Sequence, residues 1–108
     1  MQDLEQDSVR ARLGQRAIAA LDGWALAREV QREVLALSAD EWRRVQLGAP
    51  LPLQLEVIER AELVLALAER GDVELASPYT ALDGLSPLEA MRGRDEALLE
   101  RLRTWVQA

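Results

Sequence analysis

The 108-residue sequence contains no cysteine, histidine, lysine, phenylalanine or asparagine. Without cysteine the chain can form no disulfide and offers no thiolate for a metal site or for nucleophilic catalysis. Without histidine it lacks the commonest general base and the commonest metal ligand. Only serine, tyrosine, aspartate, glutamate and arginine remain for chemistry. We therefore predict a protein that is not an enzyme and that binds no cofactor and no metal.

Long apolar runs are also missing. No run approaches 18 apolar residues, so we predict no membrane-spanning helix and no membrane partner. The acidic and polar residues 1–5 have none of the features of a secretory signal, so a cytoplasmic location is expected.

Charge is distributed unevenly along the chain. All 13 basic residues are arginine, and 19 acidic residues give a net charge of −6. Residues 8–48 contain seven arginines against five acids, a net charge of +2, whereas residues 49–108 contain six against eleven, a net charge of −5. A difference of this kind predicts that the two halves meet different partners.

Apolar residues recur at helical spacings of three and four throughout the chain. Ser38 and Ser86 each stand three residues before a glutamate, which is the capping-box pattern of a helix N-terminus. The spacing predicts an all-α fold of about six helices: 8–22, 25–37, a short helix opened by Ser38 and ended by Gly48, 53–70, a short helix opened by Ser86 and ended by Gly93, and 94–106. We divide the chain into a helix-turn-helix-like half at 1–48 and a second small helical half at 49–108, which together form one compact unit.

The long fourth helix is apolar on nearly all sides over residues 61–68. Such a segment is either the central helix of the fold or part of a dimer interface, and the pattern leaves both open. Its glutamates, Glu56, Glu59, Glu62 and Glu69, predict a solvated acidic face, because a metal site in a helical bundle usually adds Glu-x-x-His. Glu56 and Arg60 are expected to form an ordinary surface pair.

Residues 25–47 are similar to a helix-turn-helix. In that interpretation Arg43, Arg44 and Gln46 face DNA, and Arg28 and Arg32 flank the backbone. The alternative is a plain helical bundle, in which Asp40 pairs with the two neighbouring arginines on the helix surface.

The three tryptophans lie on apolar stripes. Trp24 and Trp42 are predicted in the core, and Trp105 either in the core or as an anchor in an interface. Residues 71–85 form a long irregular segment, with at most a strand fragment at 73–75, and segments of this length often carry recognition.

The order of these features resembles the Xre/MbcA/ParS-type antitoxins. The residues that carry the resemblance are Trp24-Ala25-Leu26, Leu37-Ser38, residues 59–63 in the long helix, Ser77-Pro78, and the run from Leu82 to Met91 with its Gly84 and Ser86-Pro87-Leu88. Tyr79 stands where that family typically has asparagine.

The resemblance implies the antitoxin of a bacterial type II toxin-antitoxin system that neutralises a RES-domain, NAD-consuming toxin. It also implies a homodimer that binds operator DNA when it represses its own operon. We expect the toxin-facing residues to be Pro78, Tyr79, Asp83, Gly84, Ser86, Arg92, Arg94, Arg101 and Trp105. The alternative function is a stand-alone helix-turn-helix transcriptional regulator whose C-terminal half only dimerises.

Overall fold

The chain folds as an all-α protein, as the periodicity predicts. The computed structural model describes residues 2–71, 74–93 and 95–107, with side chains from Asp7 onward. Within these ranges the helices are α1 (Gln2–Gly23), α2 (Arg28–Val34), α3 (Ala39–Gln46), α4 (Leu55–Arg70), α5 (Pro87–Arg92) and α6 (Glu96–Gln107), with a 3-10 turn at Thr80–Leu82. No helix in this part of the chain is long and apolar enough to cross a membrane.

The second helix is much shorter than predicted. The pattern predicts residues 25–37, but α2 covers only Arg28–Val34. Ala25 and Ala36, on either side of it, both have a left-handed backbone with φ of +57°. A left-handed residue cannot continue a right-handed helix, so these two alanines stop α1 and α2. No glycine stands at either position to signal a helix end. The apolar spacing alone therefore overestimates the length of α2.

Both predicted capping boxes are present. The Ser38 hydroxyl accepts the Glu41 amide at 3.2 Å, and the Ser86 hydroxyl accepts the Glu89 amide at 3.1 Å. In each case the glutamate side chain returns to the serine amide. Each short helix therefore begins directly after the serine that the capping-box pattern predicts as its N-cap.

The other helix boundaries shift by a few residues. The first helix extends back to Gln2 from the predicted position 8, and α4 begins at Leu55, two residues later than predicted. The last helix begins at Glu96, because the Asp95 carboxylate accepts the amides of Ala97 and Leu98 and so acts as its N-cap. The described part of the 73–75 fragment, Glu74 and Leu75, is not a strand, and Val73 lies outside the described residues.

Helices of both halves pack around α4. Its largest interface is with α1, and α6 packs along it on another side. Leu63 and Leu67 are buried within the chain, so the two-sided apolar stretch belongs to the core. Gly14 lets α1 lie close to the rest of the protein, because a Cβ there would come within 3.1 Å of Val45 and 3.2 Å of Leu51.

One hydrophobic core takes residues from nearly every helix. Trp42 belongs to it and is only 8% exposed, as predicted, whereas Trp24 packs at its edge and is half-buried. Trp105 is also half-buried.

Candidate partner-binding surface

The irregular loop and α6 form a shared surface, which we call the loop–α6 surface and define by Tyr79, Asp83, Arg101 and Trp105. The Tyr79 and Trp105 ring centroids are 4.7 Å apart, with the rings inclined at 49°. Asp83 forms an ion pair with Arg101. Because Arg101 and Trp105 are four residues apart, they are neighbours on one side of α6 and hold the loop at two points.

Arg70 joins this surface from the end of α4. Its guanidinium carbon lies 5.0 Å from the centre of the Trp105 ring, and its Nη1 donates to the Trp105 carbonyl at 3.0 Å. The Tyr79 hydroxyl accepts the Glu74 amide at 3.2 Å. The two aromatic side chains are therefore fixed in orientation before any partner arrives.

The loop backbone is closed by its own hydrogen bonds. The Gly84 amide donates to the Tyr79 carbonyl at 3.0 Å, and the Tyr79 amide donates to the Leu85 carbonyl at 3.1 Å. Asp83 and Gly84 make the turn with left-handed backbones, φ +56° and +81°. Pro78, Asp83 and Gly84 are exposed, so the tip presents a preformed shape to solvent.

Two further residues that the resemblance assigns to the toxin interface, Ser86 and Arg92, have other roles in the structure. Ser86 is 2% exposed and its hydroxyl is used by the capping box, so it supports the loop from inside. Arg92 is exposed but pairs with Glu33 of α2 at 2.7 Å. Arg94 lies outside the described residues. The structure thus brings together the aromatic and ion-pair residues and separates Arg92 from them.

The helix-turn-helix-like region has a connection of four residues, 35–38, between α2 and α3. Arg28, Arg43 and Arg44 are exposed, and their guanidinium groups form no hydrogen bond or ion pair with any residue that the structure describes. The surface pairing of Asp40 with Arg43 and Arg44 is therefore absent from this conformation. These three guanidinium groups remain available to an anion.

The two remaining residues assigned to DNA contact are less available. Arg32 is half-buried and its Nη1 donates to the Leu37 carbonyl at 3.2 Å. Gln46 is half-buried and lines a cavity of about 180 Å³, which Arg28 and Gln31 also line. The basic surface of this half therefore rests on Arg28, Arg43 and Arg44.

Arg60 is the residue whose role the sequence interpretation missed. The predicted surface pair with Glu56 is present at 3.3 Å, but Arg60 itself is only 4% exposed. Its Nη2 donates to the Gly93 carbonyl at 2.8 Å, and its Nη1 contacts the carbonyls of Val34 and Met91. One spacing signal was present, since Arg60 falls on the buried stripe of α4 between Val57 and Val64.

The predicted acidic face of α4 is partly engaged in ion pairs. Glu59 pairs with Arg103 of α6 at 3.1 Å, and Glu56 pairs with Arg60. Within the described ranges no group of three or more acidic side chains is arranged to hold a metal ion.

Comparisons with known proteins identify no relative of this chain. No protein-family model matches it, and no match was found among curated proteins or among solved structures.

Proposed function

We propose that the protein is an antitoxin that binds and neutralises a RES-domain toxin through the loop–α6 surface. The observation that carries the proposal is the Tyr79–Trp105 contact, which joins the irregular loop to the last helix. A rigid aromatic pair bordered by an ion pair is typical of the residues that dominate binding energy in protein interfaces.

The charge of the C-terminal half supports the same proposal. This half has a net charge of −5. A toxin that consumes NAD binds an anionic dinucleotide, so its entrance is expected to carry basic groups. An acidic partner complements such an entrance and associates with it faster at low salt.

Recovery of the partner tests the proposal directly. The tagged chain is purified from its native host and the bound proteins are identified by mass spectrometry. We expect a RES-fold protein in near-stoichiometric amount. Recovery of the chain alone would refute toxin binding.

Trp105→Ala tests the surface itself. Removing the indole from the pair with Tyr79 should weaken toxin binding by about 2 kcal/mol, or about 30-fold, measured by titration calorimetry. Leu47→Ala is the matched control, since Leu47 follows α3, is 84% exposed and is not part of the loop–α6 surface. Unchanged helical circular dichroism in both variants separates lost binding from lost folding.

DNA binding is a second candidate function, which is favoured by Arg28, Arg43 and Arg44 having no ion-pair partner among the described residues. A homodimer would present two such basic surfaces. Binding to operator DNA should weaken steeply between 50 and 200 mM salt, because phosphate contacts release counterions. The pair of changes Arg43→Ala and Arg44→Ala should abolish a gel shift and leave toxin binding intact. Wild-type affinity in that variant would show that these arginines do not contact DNA.

A further inference from the structure

The sequence repeats the pattern Arg-x-x-Gln three times, once in each of the first three helices. The pairs are Arg12 and Gln15 in α1, Arg28 and Gln31 in α2, and Arg43 and Gln46 in α3. No other glutamine of the chain has an arginine three residues before it. The structure brings the three glutamines together, since all of them line one cavity of about 180 Å³, which we call the glutamine pocket.

The interior of the glutamine pocket presents hydrogen-bond acceptors. Gln31 is only 1% exposed, and its Nε2 donates to Asp22 at 2.8 Å and to the Leu26 carbonyl at 2.9 Å. The Gln15 Nε2 donates to the Val45 carbonyl at 2.7 Å. Both amides are thereby fixed, and neither side-chain oxygen accepts a hydrogen bond from a described residue. Because buried amide oxygens normally have a donor, the pocket suits a ligand with N–H groups.

The rim of the glutamine pocket is basic. Arg28 lines the pocket itself, and Arg12 and Arg43 lie within one helical turn of the glutamines that they precede. All three arginines are exposed, and their guanidinium groups have no hydrogen-bond or ion-pair partner in the part of the chain that the structure describes. Of the described residues that line the pocket, Asp22 alone is acidic. The rim therefore attracts anions, whereas the interior needs donors.

A guanine nucleotide has both properties. The Watson–Crick edge of guanine carries two adjacent donors, N1–H and N2–H, beside the acceptor O6, and no other common base has two adjacent donors on that edge. A cationic ligand would also supply donors, but the arginines would repel it. The pocket is smaller than the about 300–1,000 Å³ that encloses a whole drug-sized ligand, so a base would enter and its phosphates would stay at the rim.

We propose that the glutamine pocket binds an unpaired guanine of a single-stranded nucleic acid, whose flanking phosphates contact Arg12 and Arg43. Asp22 and the Gln31 side-chain oxygen accept from N1–H and N2–H, and Arg28 donates to O6. In a duplex this edge of guanine is occupied by cytosine, so the pocket recognises only an unpaired base. The proposal rests on nucleic-acid binding by this half, the second candidate function, and does not depend on toxin binding.

Oligonucleotides test the pocket directly. The probes are fluorescein-labelled oligothymidine strands of about 11 nucleotides, with guanine, adenine, cytosine or thymine at the central position. Fluorescence anisotropy should show that the guanine strand binds at least about tenfold more tightly than the other three. Annealing the guanine strand to its complement should remove this advantage, so that its duplex binds no more tightly than the duplex with a central adenine.

Variants of the protein locate the guanine. Asp22→Asn keeps an oxygen for Gln31 but removes the carboxylate charge, so the preference for guanine should fall below about threefold while the all-thymine strand binds no more weakly. The matched control is Asp40→Asn, which removes the same charge at an exposed position of α3 outside the pocket and should keep the full preference. Unchanged helical circular dichroism in both variants shows that the fold is intact.

The rim is tested separately from the interior. Arg12→Ala with Arg43→Ala should weaken the binding of all four strands about tenfold, because these arginines contact phosphates. The preference for guanine should be unchanged in this variant, since neither side chain lines the pocket.

Three results would overturn the proposal. Equal binding of the four strands would mean that the pocket does not recognise a base. Equal loss of preference in Asp22→Asn and Asp40→Asn would place the guanine elsewhere. Free GMP that competes as tightly as the guanine strand binds would make the ligand a nucleotide and not a strand. Duplex binding and toxin binding are measured with their own variants, so either can hold where the preference for guanine fails.

Discussion

The arginines of the two halves differ in what they do. In the N-terminal half, the guanidinium groups of five arginines form no hydrogen bond or ion pair with a described residue: Arg12, Arg16, Arg28, Arg43 and Arg44. The other two are engaged, since Arg10 donates to the Leu51 carbonyl and Arg32 to the Leu37 carbonyl. In the C-terminal half every described arginine joins two parts of the fold: Arg60 to Gly93, Arg70 to Trp105, Arg92 to Glu33, Arg101 to Asp83 and Arg103 to Glu59.

The difference shows that composition is a poor guide to the role of a charge. The two halves contain similar numbers of arginines, seven and six, and the second has eleven acids against eight in the first. The described arginines of the second half join separate segments of the fold, whereas five of the seven in the first half lie exposed. A surface for an anionic partner is therefore expected in the first half, and a structured protein interface in the second.

The largest expected effect is at Arg60. Arg60→Met leaves the carbonyls of Val34, Met91 and Gly93 without their donor, and an unsatisfied buried group costs about 1–3 kcal/mol. We expect the free energy of unfolding to fall by about 3 kcal/mol or more in urea titrations followed by circular dichroism. Arg44→Met, at an exposed position, should stay within about 0.5 kcal/mol of wild type. If both variants lost a similarly small free energy of unfolding, the buried and the exposed arginine would contribute equally to stability, and the proposed difference between the halves would be wrong.

The two capping boxes allow a sharper test, because one lies in each half. Ser38 is exposed, whereas Ser86 is buried. Ser38→Ala should cost about 1 kcal/mol of unfolding free energy, and Ser86→Ala about 2 kcal/mol, since water cannot replace the buried hydroxyl. Thermal unfolding of both variants measures the difference. Equal costs would show that burial adds nothing to this cap.

Exposed ion pairs should have the smallest effects on stability. Arg101→Ala removes the pair with Asp83 and should cost less than about 1 kcal/mol, because both side chains are largely in water. The control Arg43→Ala removes no pair and should leave stability unchanged. A loss well above 1 kcal/mol for Arg101→Ala would mean that the pair is needed to fold the loop.

Local features were predictable from the sequence to a greater extent than long-range ones. The caps at Ser38 and Ser86, and the end of α4 at Gly71, follow from residues within one helical turn. The left-handed backbones of Ala25 and Ala36 were missed because alanine is a strong helix former. Each alanine stands just past a helix end that local backbone hydrogen bonds close, from Leu26 to Leu21 and from Leu37 to Arg32, at a position where glycine is the usual signal.

The candidate site shows the same limit. Tyr79 and Trp105 could each be nominated as surface aromatics, but their contact depends on where α6 lies relative to the loop. The burial of Arg60 was indicated only by its place on an apolar stripe, and an arginine at such a place is also compatible with the helix surface. Its carbonyl partners come from α2 and from the end of α5, which spacing within α4 cannot reveal.

Arg60 also has a consequence for how the chain folds and how it can be divided. Val34 is the last residue of α2, and Met91 and Gly93 lie at the end of α5, so the carbonyl ends of two helices from different halves converge on one cation. Helix C-termini carry partial negative charge, which Arg60 neutralises for both at once. A chain cut near residue 48 separates this arginine from one of its two helix ends. We therefore expect the protein to unfold in one cooperative transition and neither fragment to retain native helicity alone.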